Sequence, residues 1–110
     1  MENNFGACFE KYLEGVRAKV AEKMKEYKNL EAPEVLFKVG SRYVKVYKAE
    51  KASDGSYTSR SVHSFIDRTN GDVLKAETWK APAKHARGNI YDADFGLSRV
   101  SAYGPEYLRG

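Results

Sequence analysis

Apolar residues in the first quarter of the chain fall at Phe5, Phe9, Tyr12, Leu13, Val16, Val20, Met24 and Tyr27. Their steps, mostly of three and four, line one face of an α-helix, so the pattern predicts a long amphipathic helix over 4–28. Asn3 or Asn4 is placed to cap the first turn. Lys11, Glu14, Arg17, Lys25 and Glu26 make a solvated opposite face, and Pro33 requires the helix to stop near Asn29. Cys8 sits in the apolar register and reads as a small core filler.

The period then changes from helical to alternating. Val35–Val39 is a short strand, and Gly40-Ser41 offers a tight turn. Arg42–Lys48 places Val44 and Val46 on one face and Tyr43, Lys45 and Tyr47 on the other. The polar stretch Glu50–Ser59, with Asp54-Gly55 inside it, predicts a loop. Arg60–Asp67 reads as a strand with Val62, Ser64 and Ile66 on one face and His63 and Phe65 on the other. Asn70-Gly71 is a hairpin signal, so Asp72–Ala76 returns antiparallel. The expectation is an antiparallel meander of about four strands over 35–76, crossed on one face by the helix.

The segment 80–88 predicts a short helix, with Pro82 at its first position and Gly88 at its stop. Trp79, just ahead of it, is expected to anchor the core or, failing that, to wall a ligand pocket. Residues 89–110 are rich in Gly, Tyr and Asp without a period, which suits irregular structure, a short strand or a tail packed on a neighbouring subunit. The fold class expected is a single α+β domain over 1–110.

Charge and cysteine content narrow the partners. Lys and Arg number 19 against 15 Asp and Glu, a net charge of +4 that mildly favours anionic partners. One cysteine excludes an intrachain disulfide, and with two histidines it cannot complete a typical zinc site. No cofactor or metal is expected. No apolar run approaches the ~20 residues of a membrane span, and MENNFGACFEKY lacks the pattern of a secretory signal. A chain of 110 residues builds only a modest core. That, with Tyr91, Tyr103 and Tyr107 in the final segment, leads us to expect a homo-oligomer.

Two clusters suit a phosphate-bearing ligand. In the first, Lys80, Lys84 and Arg87, three or four residues apart, fall on roughly one side of the short helix with His85 nearby, and free amides at Ala83 and Lys84 could meet a phosphate. The bland alternative is a solvated basic helix packed through Trp79. No P-loop or dinucleotide fingerprint is present. In the second, Tyr43, Lys45 and Tyr47, with His63 and Phe65 alongside, could stack bases while the cation meets phosphate. The same residues equally suit a covered sheet or a dimer interface. A third arrangement, His63 or His85 with Asp67, Asp92 or Asp94, could move protons. It is no better than chance in a chain of this size, and Asp67 is better placed to open the turn before Asn70-Gly71. Asp92-x-Asp94 is a poor magnesium signal. We therefore expect no catalytic residues.

The segments S-V-H-S-F-I-D, N-G-D-V-L-K-A and W-K-A-P-A-K-H-A-R-G-N within Ser61–Asn89, preceded by G-S-R-Y-V-K-V, resemble a family of small uncharacterised proteins of tailed, marine podovirus-like bacteriophages. The resemblance implies an accessory protein acting in the cytoplasm of an infected bacterial cell, and carries no activity with it. Joined to the basic cluster, it leads to the expectation of a non-enzymatic protein that binds a phosphorylated small molecule such as a nucleotide. Sequestering a host immune nucleotide signal is one form of this. A sequence-tolerant nucleic-acid-binding protein and a protein inhibitor of a host enzyme are the alternatives.

Overall fold

The computed structural model describes residues 4–25, 33–51, 54–98, 100–101 and 104–105, so Asn3, Tyr27, Tyr103, Tyr107 and the expected end of the helix near Asn29 lie outside the described residues. One helix, α1 (Phe5–Met24), precedes five strands: β1 (Glu34–Val39), β2 (Tyr43–Lys51), β3 (Tyr57–Asp67), β4 (Asp72–Ala76) and β5 (Pro82–Asn89). These pair in chain order as one antiparallel sheet. Two short strands, β6 (Val100–Ser101) and β7 (Gly104–Pro105), form a separate hairpin. Among the described residues no helix is long and apolar enough to cross a membrane.

The helix forms where its apolar stripe predicts. Phe9, Tyr12, Leu13, Val16 and Val20 are buried against Val35, Val44, Val46, Ile66 and Val73 of the sheet, with Ile90 and Val100 closing the same core. Each such burial stabilises the fold by about 1.5–3 kcal/mol, far more than a cap. Asn4 occupies the N-cap position without a side-chain cap bond, so packing rather than capping sets this end. The alternation along β2 is also as expected: Val44 and Val46 face the helix, while Tyr43, Lys45 and Tyr47 stay partly exposed.

The expected four-strand sheet with a second helix is wrong on both counts. Residues 82–89 are a fifth strand, and among the described residues α1 is the single helix. An isolated helix of that length is marginal in water, and the one expected over 80–88 has only Ala81, Ala83 and Ala86 to bury. As a strand it satisfies the open edge of β4, pairing Asp72 with Asn89 and Leu74 with Ala86. Pro82 at the first residue of a strand costs no ladder bond, and Lys84 and Arg87 suit a sheet edge. Thr78 builds the preceding turn, its Oγ1 accepting from the amides of Lys80 and Ala81 at 3.2 and 3.0 Å. The expected loop Glu50–Ser59 is shorter than predicted, because β2 runs to Lys51 and β3 starts at Tyr57. Within 89–110, Val100–Ser101 and Gly104–Pro105 form the β6–β7 hairpin.

The β3–β4 turn depends on Gly71. Its φ of +82° lies in the left-handed region, and a Cβ there would come within 2.6 Å of the Tyr91 ring. Asp67 opens this turn as expected, its Oδ1 accepting from the Thr69 amide at 2.8 Å.

Candidate functional site

The sheet has two unlike faces. One is sealed by α1. The other carries Tyr43, Lys45 and Tyr47 from β2, and the pairing Lys45↔Phe65 and Phe65↔Leu74 places Phe65 and Leu74 beside them. Phe65 and Leu74 are buried yet stand apart from the helix-side core cluster. The Tyr43 ring meets Phe65 edge-on at 6.1 Å.

The turn between β4 and β5 folds back across this face. Trp79 projects from it past β3 to reach β2, its ring 5.7 Å from Tyr47 in an edge-to-face contact. Lys45 Nζ lies 4.0 Å from the indole centroid, a cation–π pair. Trp79 nevertheless keeps 41% of its surface exposed, so it is not the core anchor expected. Its ring covers part of the face and leaves part open to solvent.

Two further lysines lie near Lys45. The register pairs Lys38 of β1 with Lys45, and Lys80 follows Trp79 in the turn. Partial desolvation of Lys45, then repulsion from Lys38 and Lys80, lower its pKa below the usual lysine value. Among the described residues no ion pair is found for any of these three lysines. Three cations thus group beside an aromatic surface, without an ion pair among the described residues.

At the far end of β2, the Arg42 guanidinium lies 5.2 Å from the Tyr43 ring centroid. It is held there by Asp67, whose Oδ2 accepts from Arg42 Nε at 3.2 Å. Burial would raise the Asp67 pKa, but hydrogen bonds from Thr69 and Arg42 outweigh it and hold the carboxyl below its ordinary value.

His63 leaves the face expected for it. A register shift between Val46 and Tyr47 leaves His63 without a cross-strand partner, because Val46 pairs with Ser64 and Tyr47 with Val62. The side chain is 1% exposed and joins a buried chain of hydrogen bonds. Its Nε2 is 2.8 Å from the carbonyl of Ser101, its Nδ1 is 2.9 Å from Ser64 Oγ, and Ser64 Oγ is 2.6 Å from Tyr12 Oη. A carbonyl only accepts, so Nε2 carries the proton and donates. In the neutral ring Nδ1 must then accept from Ser64, which in turn accepts from Tyr12. Burial pushes the His63 pKa down to about 4, against a smaller opposing effect of the Ser101 bond, so the ring is neutral at pH 7. The same burial raises the Tyr12 phenol. His63 is therefore an interior tie between β3 and the β6–β7 hairpin.

The other expected residues disperse. Lys84 and His85 are exposed on β5, and Arg87 Nη1 donates to the carbonyl of His85. With 82–89 in a strand, the one-sided helical spacing of Lys80, Lys84 and Arg87 does not exist, nor does a helix start to hold phosphate. Asp94 is spent on its own turn, accepting from the amides of Gly96 and Ser98 at 3.0 and 2.9 Å. His63 and Asp67 do not meet. What forms instead is a union of the two sequence clusters: Trp79 and Lys80 from one, Tyr43, Lys45 and Tyr47 from the other. Lys38 joins them and was missed. Its signal was the hairpin itself: a turn at Gly40-Ser41 would set residue 38 across from 43, on the face of Tyr43, and the observed turn at Ser41-Arg42 sets it across from 45.

A family model described as a family of unknown function (DUF7717) matches residues 5–102. No curated protein matches the chain. No solved structure matches it.

Proposed function

The chain belongs to the DUF7717 family, and we propose that it binds a phosphate-bearing ligand, without turning it over, on the lysine–aromatic face of its sheet. The observation that carries this reading is the grouping of Lys38 and Lys80 around Lys45, which itself lies over the part-exposed Trp79 ring. An anion relieves the mutual repulsion of the lysines, and an indole beside them offers a flat apolar surface to a base. Binding without turnover is favoured because His63 is committed to interior hydrogen bonds. Following the resemblance to tailed-phage proteins, we place this binding in the cytoplasm of an infected bacterial cell. Capture of a host immune nucleotide signal and capture of a nucleic acid both use this chemistry.

Thermal shift tests the reading, because a ligand of the folded state raises the melting temperature by mass action. ATP, a cyclic dinucleotide and a single-stranded oligonucleotide serve as probes, and at least one should raise the melting temperature of the parent. The combined variant Lys38→Gln, Lys45→Gln, Lys80→Gln should abolish that shift, while Lys25→Gln on the solvated side of α1 should keep it. No shift with any probe, or an equal shift in the combined variant, overturns the reading.

A second reading, self-association, is favoured by Phe37 and Val39, which are 46% and 55% exposed side by side on the edge strand β1. Sedimentation should give a species larger than the monomer at micromolar concentration, and Phe37→Lys should return it to monomer. A parent that sediments as a monomer contradicts it.

A further inference from the structure

We propose that the ligand of this face is a single-stranded nucleic acid laid along β2, with one stacking station at Trp79 and Tyr47 and a second at Tyr43 and Arg42. The inference rests on the phosphate-binding reading above and names the ligand class within it.

The spacing of the strand carries it. Tyr43, Lys45 and Tyr47 share a face at intervals of two residues, and an antiparallel strand rises about 3.4 Å per residue, so neighbours stand ~6.8 Å apart. That interval is about twice the ~3.4 Å axial repeat of a duplex strand, which is the phosphate spacing of an extended single strand with its bases unstacked. One nucleotide per pair of residues therefore keeps step with β2, giving an aromatic, a cation and an aromatic in succession. Lys38, across from Lys45, and Lys80, beside Trp79, flank the middle of this track where the backbone passes.

The two ends are built differently, and both are held in place. At one end the indole is fixed by an edge-to-face contact with Tyr47 and by Lys45 over its ring, and its remaining exposed surface is available to a base. At the other end Arg42 lies over Tyr43 and is fixed by Asp67, which presents a guanidinium plane outward with 60% of that side chain exposed. Bases stack on such planes as they do on aromatic rings. A duplex keeps its bases paired inside and cannot offer them to either station. A mononucleotide reaches one station only. Stacking on ring and guanidinium planes accepts any base, so recognition is tolerant of sequence.

Fluorescence anisotropy with a labelled oligothymidylate of roughly ten nucleotides, a common length for a single-stranded site, tests this on the full chain. The oligonucleotide should bind at least about tenfold more tightly than thymidine monophosphate competes, and more tightly than a hairpin duplex of equal charge. Tyr43→Leu keeps apolar cover over Phe65 and removes one stack. It should weaken the oligonucleotide about tenfold and the mononucleotide by clearly less, because a ligand with one base can still use the Trp79 station. Trp79→Leu, at the other station, should weaken both. Circular dichroism and a melt of each variant establish that it is folded. If the mononucleotide competes as well as the oligonucleotide, or the duplex binds as well, the single-strand inference is overturned and the phosphate-binding reading stands. If none of the probes binds the parent, both fall.

Discussion

Replacing Ser64 by Ala removes the middle of the chain of hydrogen bonds that runs from Tyr12 to His63. Ser64 Oγ is the partner of both Tyr12 Oη and His63 Nδ1, at 2.6 and 2.9 Å. Both partners belong to side chains that are essentially fully buried, and among the described residues no buried side-chain polar atom lacks a partner in the native fold. The variant orphans one donor and one acceptor. An unsatisfied buried group costs about 1–3 kcal/mol, so Ser64→Ala should lose roughly 2–6 kcal/mol. Tyr12→Phe removes only the terminal donor and should lose about 1 kcal/mol. Combining the two should cost less than the sum, because Phe at 12 no longer presents a phenol to be left unpaired. Urea denaturation at pH 7 gives the free energies of all three. If Ser64→Ala is no more destabilising than Tyr12→Phe, or the two costs simply add, the hydrogen-bond chain is not continuous as described.

Three further outcomes follow from the same geometry. His63 is held near pKa 4 in the fold, against about 6.5 when unfolded, so stability is full above pH 6.5 and falls as pH drops to 4, by about 3 kcal/mol at most. The depressed carboxyls of Asp54, Asp67 and Asp94 act below their unfolded value of 3.8, so urea midpoints that stay flat from pH 6.5 to 4 contradict a buried neutral His63. Gly104→Ala should lose more than about 2 kcal/mol in a denaturant melt: its φ of +135° disfavours any side chain, and a Cβ would stand 2.6 Å from the backbone oxygen of His63. An unchanged midpoint would mean that β7 does not press on β3. Trp79→Ala should lose only about 1–2.5 kcal/mol, the sum of one cation–π contact and one aromatic pair. A loss of 3–5 kcal/mol in the same melt would mark Trp79 as a buried core residue instead.

The helix and the first four strands were legible because their burial is written locally. Phe9, Tyr12, Leu13, Val16 and Val20 repeat at helical spacing, and Val44 and Val46 alternate with Tyr43, Lys45 and Tyr47. Strand β5 was not legible, because Pro82, Ala83, Lys84, Ala86 and Gly88 carry helix-like punctuation and no alternating apolar pattern. What makes it a strand is the open edge of β4, a partner set by the β3–β4 turn. The bulge at His63 was hidden for a related reason: strict alternation puts His63 with Phe65, and a single unpaired residue undoes that assignment. The candidate site was half visible. Its aromatics and two of its lysines were named, but in separate clusters, since local sequence does not show that the turn carrying Trp79 reaches across β3 to β2.

Trp79 is the only tryptophan in the chain, so its emission reports directly from the proposed site. The decisive measurement is a titration of the full protein with single-stranded oligothymidylate, following indole fluorescence and ligand anisotropy together. We predict a saturable change in Trp79 emission that tracks the anisotropy, weakens with added salt as bound phosphates release counterions, and is absent when Lys38, Lys45 and Lys80 are all replaced by Gln. Saturable binding that leaves the indole emission unchanged would put the ligand elsewhere on the protein and contradict the assignment of this face.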